Sequence, residues 1–306
     1  MATANAADIR PQTRPRELED PLNHFLYHPL AARLARLLRP TGISPNMVSV
    51  IGLVALIAAA LAFSLIAWPG NALAGLAFML AWHVVDGADG DLARMTGRAS
   101  ATGELVDGVC DYAGNVILYF ALTFMLDDWI GVWAYVLAIL AGASHVVQTN
   151  HAETQRRLYL WRAYGVPWLR NAAASGDAVF RRENWFTRYF GFWAVGYVWL
   201  SNRMTPSANP IDAALAGAEG APQETERIRQ LVRRAFGPGL FLPKALGANP
   251  KTFLIAGSIL LGSPLYYFLA MILGVNLILL ASIVHHRRVA ARLAAALGQG
   301  QSSSSS

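Results

Sequence analysis

The sequence predicts an all-α, polytopic membrane protein with six transmembrane helices and an N-terminal amphipathic surface helix. Three observations carry this. Of 306 residues, 55% are hydrophobic and only 14% charged, well below the ~25% charged residues of soluble domains, and the mean hydropathy is +0.35. Uncharged stretches of about 20 residues, enough to cross a bilayer, recur along the chain. The turns between them alternate between arginine-rich and free of lysine and arginine. A net charge of +6 and a pI near 9.7 fit basic cytoplasmic loops against anionic headgroups and do not call for a nucleic-acid partner. The single cysteine, Cys110, excludes an intrachain disulfide and reads as a small packing residue.

Met1 to Asp20 is polar, carries Pro11, Pro15 and several arginines, and lacks the apolar core of a signal peptide. It reads as a flexible cytoplasmic arm. From Pro21 to Arg39, Leu22, Phe25, Leu26, Leu30, Leu34, Leu37 and Leu38 recur near helical spacing with Arg33, Arg36 and Arg39 between them. That pattern predicts a basic amphipathic helix on an anionic membrane surface, which Pro29 kinks or divides. Residues 1–42 form the first region.

Ile43-Ser44-Pro45-Asn46 opens the first spanning helix, with Ser44 as cap and Pro45 at the first helical position. Met47 to Ala67 is uncharged, and Trp68 to Asn71 makes the turn. Ala72 to Arg94 is the second helix, with its acids in the last third. Glu104 to Leu126 is the third, ended by Asp127-Asp128. Trp129 to Val147 is the fourth, running on towards Arg156 and Arg157. His83 reads as a packed residue, not a metal ligand. Residues 43–157 thus hold four crossings.

Residues 158–249 read as a cytoplasmic or interfacial insertion. Asn171 to Gly176 and Pro206 to Pro222 are loop-like in composition. Trp185 to Leu200, rich in aromatics, is short for a span and is expected to be interfacial or re-entrant. Gln223 to Phe236, with four arginines, is expected to be a membrane-surface helix. Thr252 to Val284 is uncharged, and Gly262-Ser263-Pro264 divides it into two helices that borrow residues from their flanks, so 250–297 holds crossings five and six. Residues 298–306 end in a serine run, expected to be a disordered tail. The basic arm, the Arg94–Arg98 turn, the segment after Arg156 and the end at Arg287 face turns without lysine or arginine. The positive-inside rule then puts both termini and the acid-rich stretch in the cytoplasm, in an inner or cell membrane if the source is bacterial.

That acid-rich stretch runs from Asp86 to Asp111. It reads D-x2-D-G-x2-A-R-x8-G-x3-D-x3-D. Asp86, Asp89, Gly90, Ala93 and Arg94 share one broad helix face, and Gly103, Asp107 and Asp111 form a second stripe. Met95 to Thr102 is composed as a turn, so two antiparallel helices set four carboxylates opposite one another. Such a group repels itself unless cations intervene. Oxygen ligands suit Mg²⁺ or Mn²⁺, and a pair of metals is the usual device for displacement at phosphorus. Gly90, Ala93 and Gly103 either admit a ligand to the helix backbone or let helices pack closely. Arg94 offers a planar fork for phosphate.

At eight fixed positions this stretch resembles the signature of the CDP-alcohol phosphotransferase (CDP-alcohol phosphatidyltransferase) family. The resemblance implies a membrane-embedded, CMP-forming transferase of phospholipid biosynthesis. It would pass a phospho-group, phosphatidyl from CDP-diacylglycerol, to an alcohol. An alternative within the family uses a CDP-choline or CDP-ethanolamine type donor and diacylglycerol as acceptor. An ion-binding transporter is the alternative of another class. The resemblance also implies a homodimer. By it Asp86, Asp89, Asp107 and Asp111 are expected to hold metal, two Mg²⁺ or Mn²⁺ ions, and Asp111 to be the general base. Asn46, Gly90, Ala93, Arg94 and Gly103 would contact the CDP moiety. By placement, Arg98, Arg156 and Arg157 are the acceptor-side candidates.

Overall fold

A computed structural model describes residues 15–166, 185–204 and 210–304. Among these residues all regular structure is helical. The chain is helical from 21 to 38, with a π-helical stretch, Asn23–Tyr27, that passes directly into α1 (His28–Leu38), so the run is divided next to Pro29. Ala31 and Ala35 of α1 are buried against Val48, Ala88 and Leu92, whereas Phe25, Leu26, Leu30 and Leu37 stay exposed. The helix therefore packs on its small-residue stripe and keeps a separate apolar stripe for lipid.

Helices α2 (Pro45–Leu65), α3 (Gly70–Met95), α4 (Ala101–Ile130) and α5 (Val132–Tyr164) follow. Ser44 caps α2, its Oγ accepting from the Met47 amide at 3.3 Å. Ser100 caps α4 in the same way, from the Gly103 amide at 3.1 Å. Glycine permits the close packing of α2 on its two neighbours. The Phe63 ring occupies the space a side chain at Gly75 would need, and Leu56 does so at Gly114. Met95 and Ala101 lie either side of a short turn, so α3 and α4 run antiparallel as expected.

Helix α4 does not stop at Asp127-Asp128. It continues to Ile130 and ends at Gly131, whose φ of 53° breaks the helix. Helix α5 has 33 residues, about 50 Å of helix, so it outruns a ~30 Å hydrocarbon core. Its end carries a second core, in which Tyr159 and Ala163 meet Ile211, Val232, Phe236 and Leu293. Ile211 belongs to α7 (Pro210–Gly217), inside a stretch expected to be loop. Val232 and Phe236 belong to α8 (Pro222–Phe236). This helix was expected on the membrane surface but is seated on protein by its apolar stripe, while Arg227 and Arg233 pair with Glu224 and Glu226. Helix α6 (Trp185–Met204) has 20 residues, longer than the expected 16-residue segment, and packs on α4 and α5. The stretch 171–176 lies outside the described residues.

A short α9 (Phe241–Ala245) precedes α10 (Ala248–Leu260). After the Gly262 turn the chain is helical from Leu265, through a π-helical stretch Ala270–Val275, to Ser304; this run is α11. Helix therefore includes most of the serine run that was expected to lack structure. Five helices among the described residues are long and apolar enough to cross a membrane: Pro45–Leu65, Gly70–Met95, Thr102–Ile130, Val132–Tyr164 and Leu265–Gly298. The expected fifth crossing is the exception. Helix α10 has 13 residues, about 20 Å, because Gly262 ends it before it reaches bilayer length.

Candidate active site

The last three turns of α3 and the first three of α4 carry the acids. Asp86, Asp107 and Asp111 each offer one carboxylate oxygen, and these lie within 4.8 Å of one another. Two unit charges at that separation repel by about 3–4 kcal/mol at an effective dielectric of about 20, and three such pairs act here. The cluster is stable as carboxylates only with positive charge among them. Three oxygens at this spacing match what a hard divalent cation draws around itself.

The other expected site residues are distributed as follows. Asp89 is buried, accepts a hydrogen bond from Ser49 Oγ at 2.5 Å, and also faces Asp107. It adjoins the triad without being one of the three clustered oxygens. Asn46 and Gly103 come together, since a Cβ added at Gly103 would lie 3.8 Å from Asn46 Oδ1. Arg94 folds back over Gly90 and donates to Asp91 Oδ1 at 2.5 Å. Asp91 thus faces away from the triad, as its helical position requires, and takes Arg94 with it. Ala93 is half-buried, and Arg98 is exposed on the α3–α4 turn.

The triad opens into a cavity of about 760 Å³ between α4, α5 and α10. It is lined along α4 from Glu104 to Thr123, a climb of about 28 Å. Arg156 and Arg157 line it as expected, whereas Arg98 does not. The two arginines converge on Glu153. Arg156 donates to both of its oxygens at 2.7 Å, Arg157 donates to one at 2.5 Å, and Arg157 also reaches Glu104 at 3.6 Å. Tyr119 ties the far wall together, bonding His145 at 3.1 Å and Tyr267 at 3.0 Å.

Some site residues were not singled out from the sequence. Trp82 Nε1 donates to Asp111 Oδ1 at 3.2 Å. Trp82 precedes Asp86 by one helical turn, which is a usable signal, but an apolar-looking tryptophan in a spanning segment reads first as lipid-facing. Ser49 follows Asn46 by three residues on the same face of α2 and was legible in the same way. Glu153 and Lys251 reach the cavity from α5 and α10, and no local spacing links them to the acids. His83 is a packed residue: its Nε2 bonds Thr252 Oγ1 at 2.9 Å and its ring stacks on Tyr27. Cys110 is buried.

Residues 42–168 match the CDP-alcohol phosphatidyltransferase family. The match spans α2 to α5 and contains every acid of the cluster. Curated proteins give no match to the chain.

Proposed function

We propose that this chain, whose residues 42–168 match the CDP-alcohol phosphatidyltransferase family, is a CMP-forming phosphotransferase of phospholipid synthesis. In this reading it moves a phosphatidyl group from CDP-diacylglycerol to an alcohol acceptor. The observation that carries it is the convergence of Asp86, Asp107 and Asp111 at the mouth of a membrane-depth cavity. A transporter needs charges on a path across the bilayer. Here the acids stand at one end, beside a chamber of the size that holds a lipid-like ligand.

Asp86, Asp107 and Asp111 would hold the divalent cation, with Asp89 beside them, and a cation bound there offsets charge on the diphosphate and on departing CMP. Asn46 and Gly103 form the wall against which the nucleotide lies. Gly90 and Ala93 leave room along α3, and Arg94 would swing from Asp91 to a phosphate. The acceptor hydroxyl attacks the phosphorus distal to cytidine. Its proton passes to the Asp111 carboxylate, and the bond to the CMP oxygen breaks. Trp82 holds Oδ1 of Asp111 and so orients the carboxylate. Positioning supplies much of the remaining acceleration. The basic turns support a cytoplasmic side for this site.

The test uses the purified chain with Mg²⁺, CDP-dioleoylglycerol or CDP-choline as donor, and a panel of acceptors, scored by CMP and lipid product. CMP release that requires an acceptor and stops on exhaustive EDTA treatment is expected. Full activity after that treatment, with no metal returned, refutes the role given to the acids.

A further inference from the structure

We propose that Lys251 is the receptor for an anionic group, a phosphate or carboxylate, on the alcohol acceptor. This rests on the transferase reading above and names the acceptor class which that reading leaves open.

Lys251 lies on α10, outside the family-matched segment. It is 3% exposed, yet it lines the same cavity as Asp86, Asp107 and Asp111. Its Nζ donates to Thr149 Oγ1 at 2.8 Å. That is its one hydrogen bond among the described residues, and no described carboxylate forms an ion pair with it. An ammonium carries three donors, so a single hydroxyl answers a third of its capacity. A buried charge without a counter-charge is costly, and an anion received by the cavity would offset that cost.

The other basic groups of the cavity are already paired. Glu153 takes Arg156 and Arg157, and Arg157 extends to Glu104. The three aspartates face one another, where a divalent cation fits. Lys251 is the basic group of the cavity that forms no ion pair among the described residues. Its helix is also fixed in place: Thr252 bonds His83 of α3 at 2.9 Å, and Asn249 bonds Asp20 at 2.7 Å and Asn23 at 2.9 Å.

Position assigns the anion to the acceptor and not to the donor. The residues proposed to contact the nucleotide, Asn46 and Gly103, sit where α2 meets α4, and neither lines the cavity. Displacement at phosphorus is in line, with nucleophile and leaving group on opposite sides. With CMP departing on the α2 side, the acceptor approaches from the α5–α10 side, where Lys251 waits. A small anionic alcohol meets these conditions, whereas neutral diacylglycerol leaves the ammonium unanswered.

The test takes the full chain in detergent with CDP-dioleoylglycerol and Mg²⁺, and compares sn-glycerol 3-phosphate and L-serine with glycerol. Wild type is expected to prefer an acceptor bearing phosphate or carboxylate; the first two arms tell these apart. Lys251→Met should raise the KM for that acceptor by about 10–100-fold, the range for a lost hydrogen bond to a charged group. The donor KM should stay within about twofold, and Lys251→Arg should recover most of the loss. A readout independent of turnover is thermal unfolding: sn-glycerol 3-phosphate or serine should stabilise wild type but not Lys251→Met. Equal use of glycerol by wild type overturns the inference, and this needs no variant to fold. So does a donor KM that rises in place of the acceptor's. Absence of CMP release with every donor and acceptor overturns the transferase reading itself, and the acceptor assignment with it. Release without acceptor discrimination overturns only the role of Lys251.

Discussion

Trp82→Phe isolates the group that orients the proposed base. The indole is buried and donates to Asp111 Oδ1 at 3.2 Å. That is longer than the ~2.9–3.0 Å typical of N–H···O bonds, so the low end of the range for a hydrogen bond to a charged group applies, about 1.5 kcal/mol. Phenylalanine keeps an aromatic ring against α2 and removes the donor. Turnover should fall about tenfold, the rate equivalent of that energy, with the donor KM within about twofold of wild type. Asp111→Asn alone should lower turnover by about 10²–10⁴-fold, the usual range for a general base. If the tryptophan acts through Asp111, the double variant should turn over no more slowly than Asp111→Asn, because contacting groups that act as one unit are not additive. The assay is CMP release at saturating acceptor, with donor binding measured separately. A further tenfold loss in the double variant, or no loss in the single one, refutes the positioning role. Loss of donor binding in Asp111→Asn would make Asp111 an essential ligand instead of the base.

Three other outcomes are expected. Asp91→Asn should leave turnover within about fivefold of wild type, since its pair with Arg94 is worth about 0–1 kcal/mol; a loss as deep as that of Asp107→Asn would show that the two helix faces have been misread. Gly114→Ala should destabilise the protein by about 1–3 kcal/mol, because its methyl would collide with the fully buried Leu56; Leu56→Ala in the same chain should relieve the clash, as read by thermal inactivation in detergent. For topology, single cysteines at Ala67 and Ala296, both exposed, should react differently with an impermeant thiol reagent on intact cells lacking Cys110. Labelling at 67 but not at 296 is expected, and the converse would invert the orientation.

Much of the membrane core was legible because its signals are local. Ser44-Pro45 starts α2 where a cap and an N1 proline should, and the Asp86 to Asp111 spacing closes into a cluster because three- and four-residue steps share a helix face. The misread boundaries have one cause. Asp127-Asp128 looked like a stop, but exposed acids at a membrane edge can remain helical, and it is Gly131 that breaks the backbone. The arginines of 223–236 looked like a membrane-facing surface. The partners of Val232 and Phe236 are instead on α5, α7 and α11, tens of residues away in the chain, where no periodicity can reveal them. Arg94 shows the limit within the motif itself: helical phase places it on the acid face, but its long side chain turns back to Asp91.

The division of labour along the chain follows from the same geometry. Within the family-matched segment lie all the acids, their capping serines and the wall where Asn46 meets Gly103. In the proposed reaction, that segment carries the groups that would act at the CDP-linked phosphorus. It does not enclose the chamber beside it. Tyr197 of α6, Lys251 and Thr252 of α10 and Tyr267 of α11 complete the wall of the cavity, and all four lie beyond residue 168. In the proposed reaction, the eight motif positions on two helices would serve the reacting phosphorus, and the later helices would face the molecule that attacks it. Among what those helices bring to the cavity is the Lys251 ammonium, which forms no ion pair among the described residues.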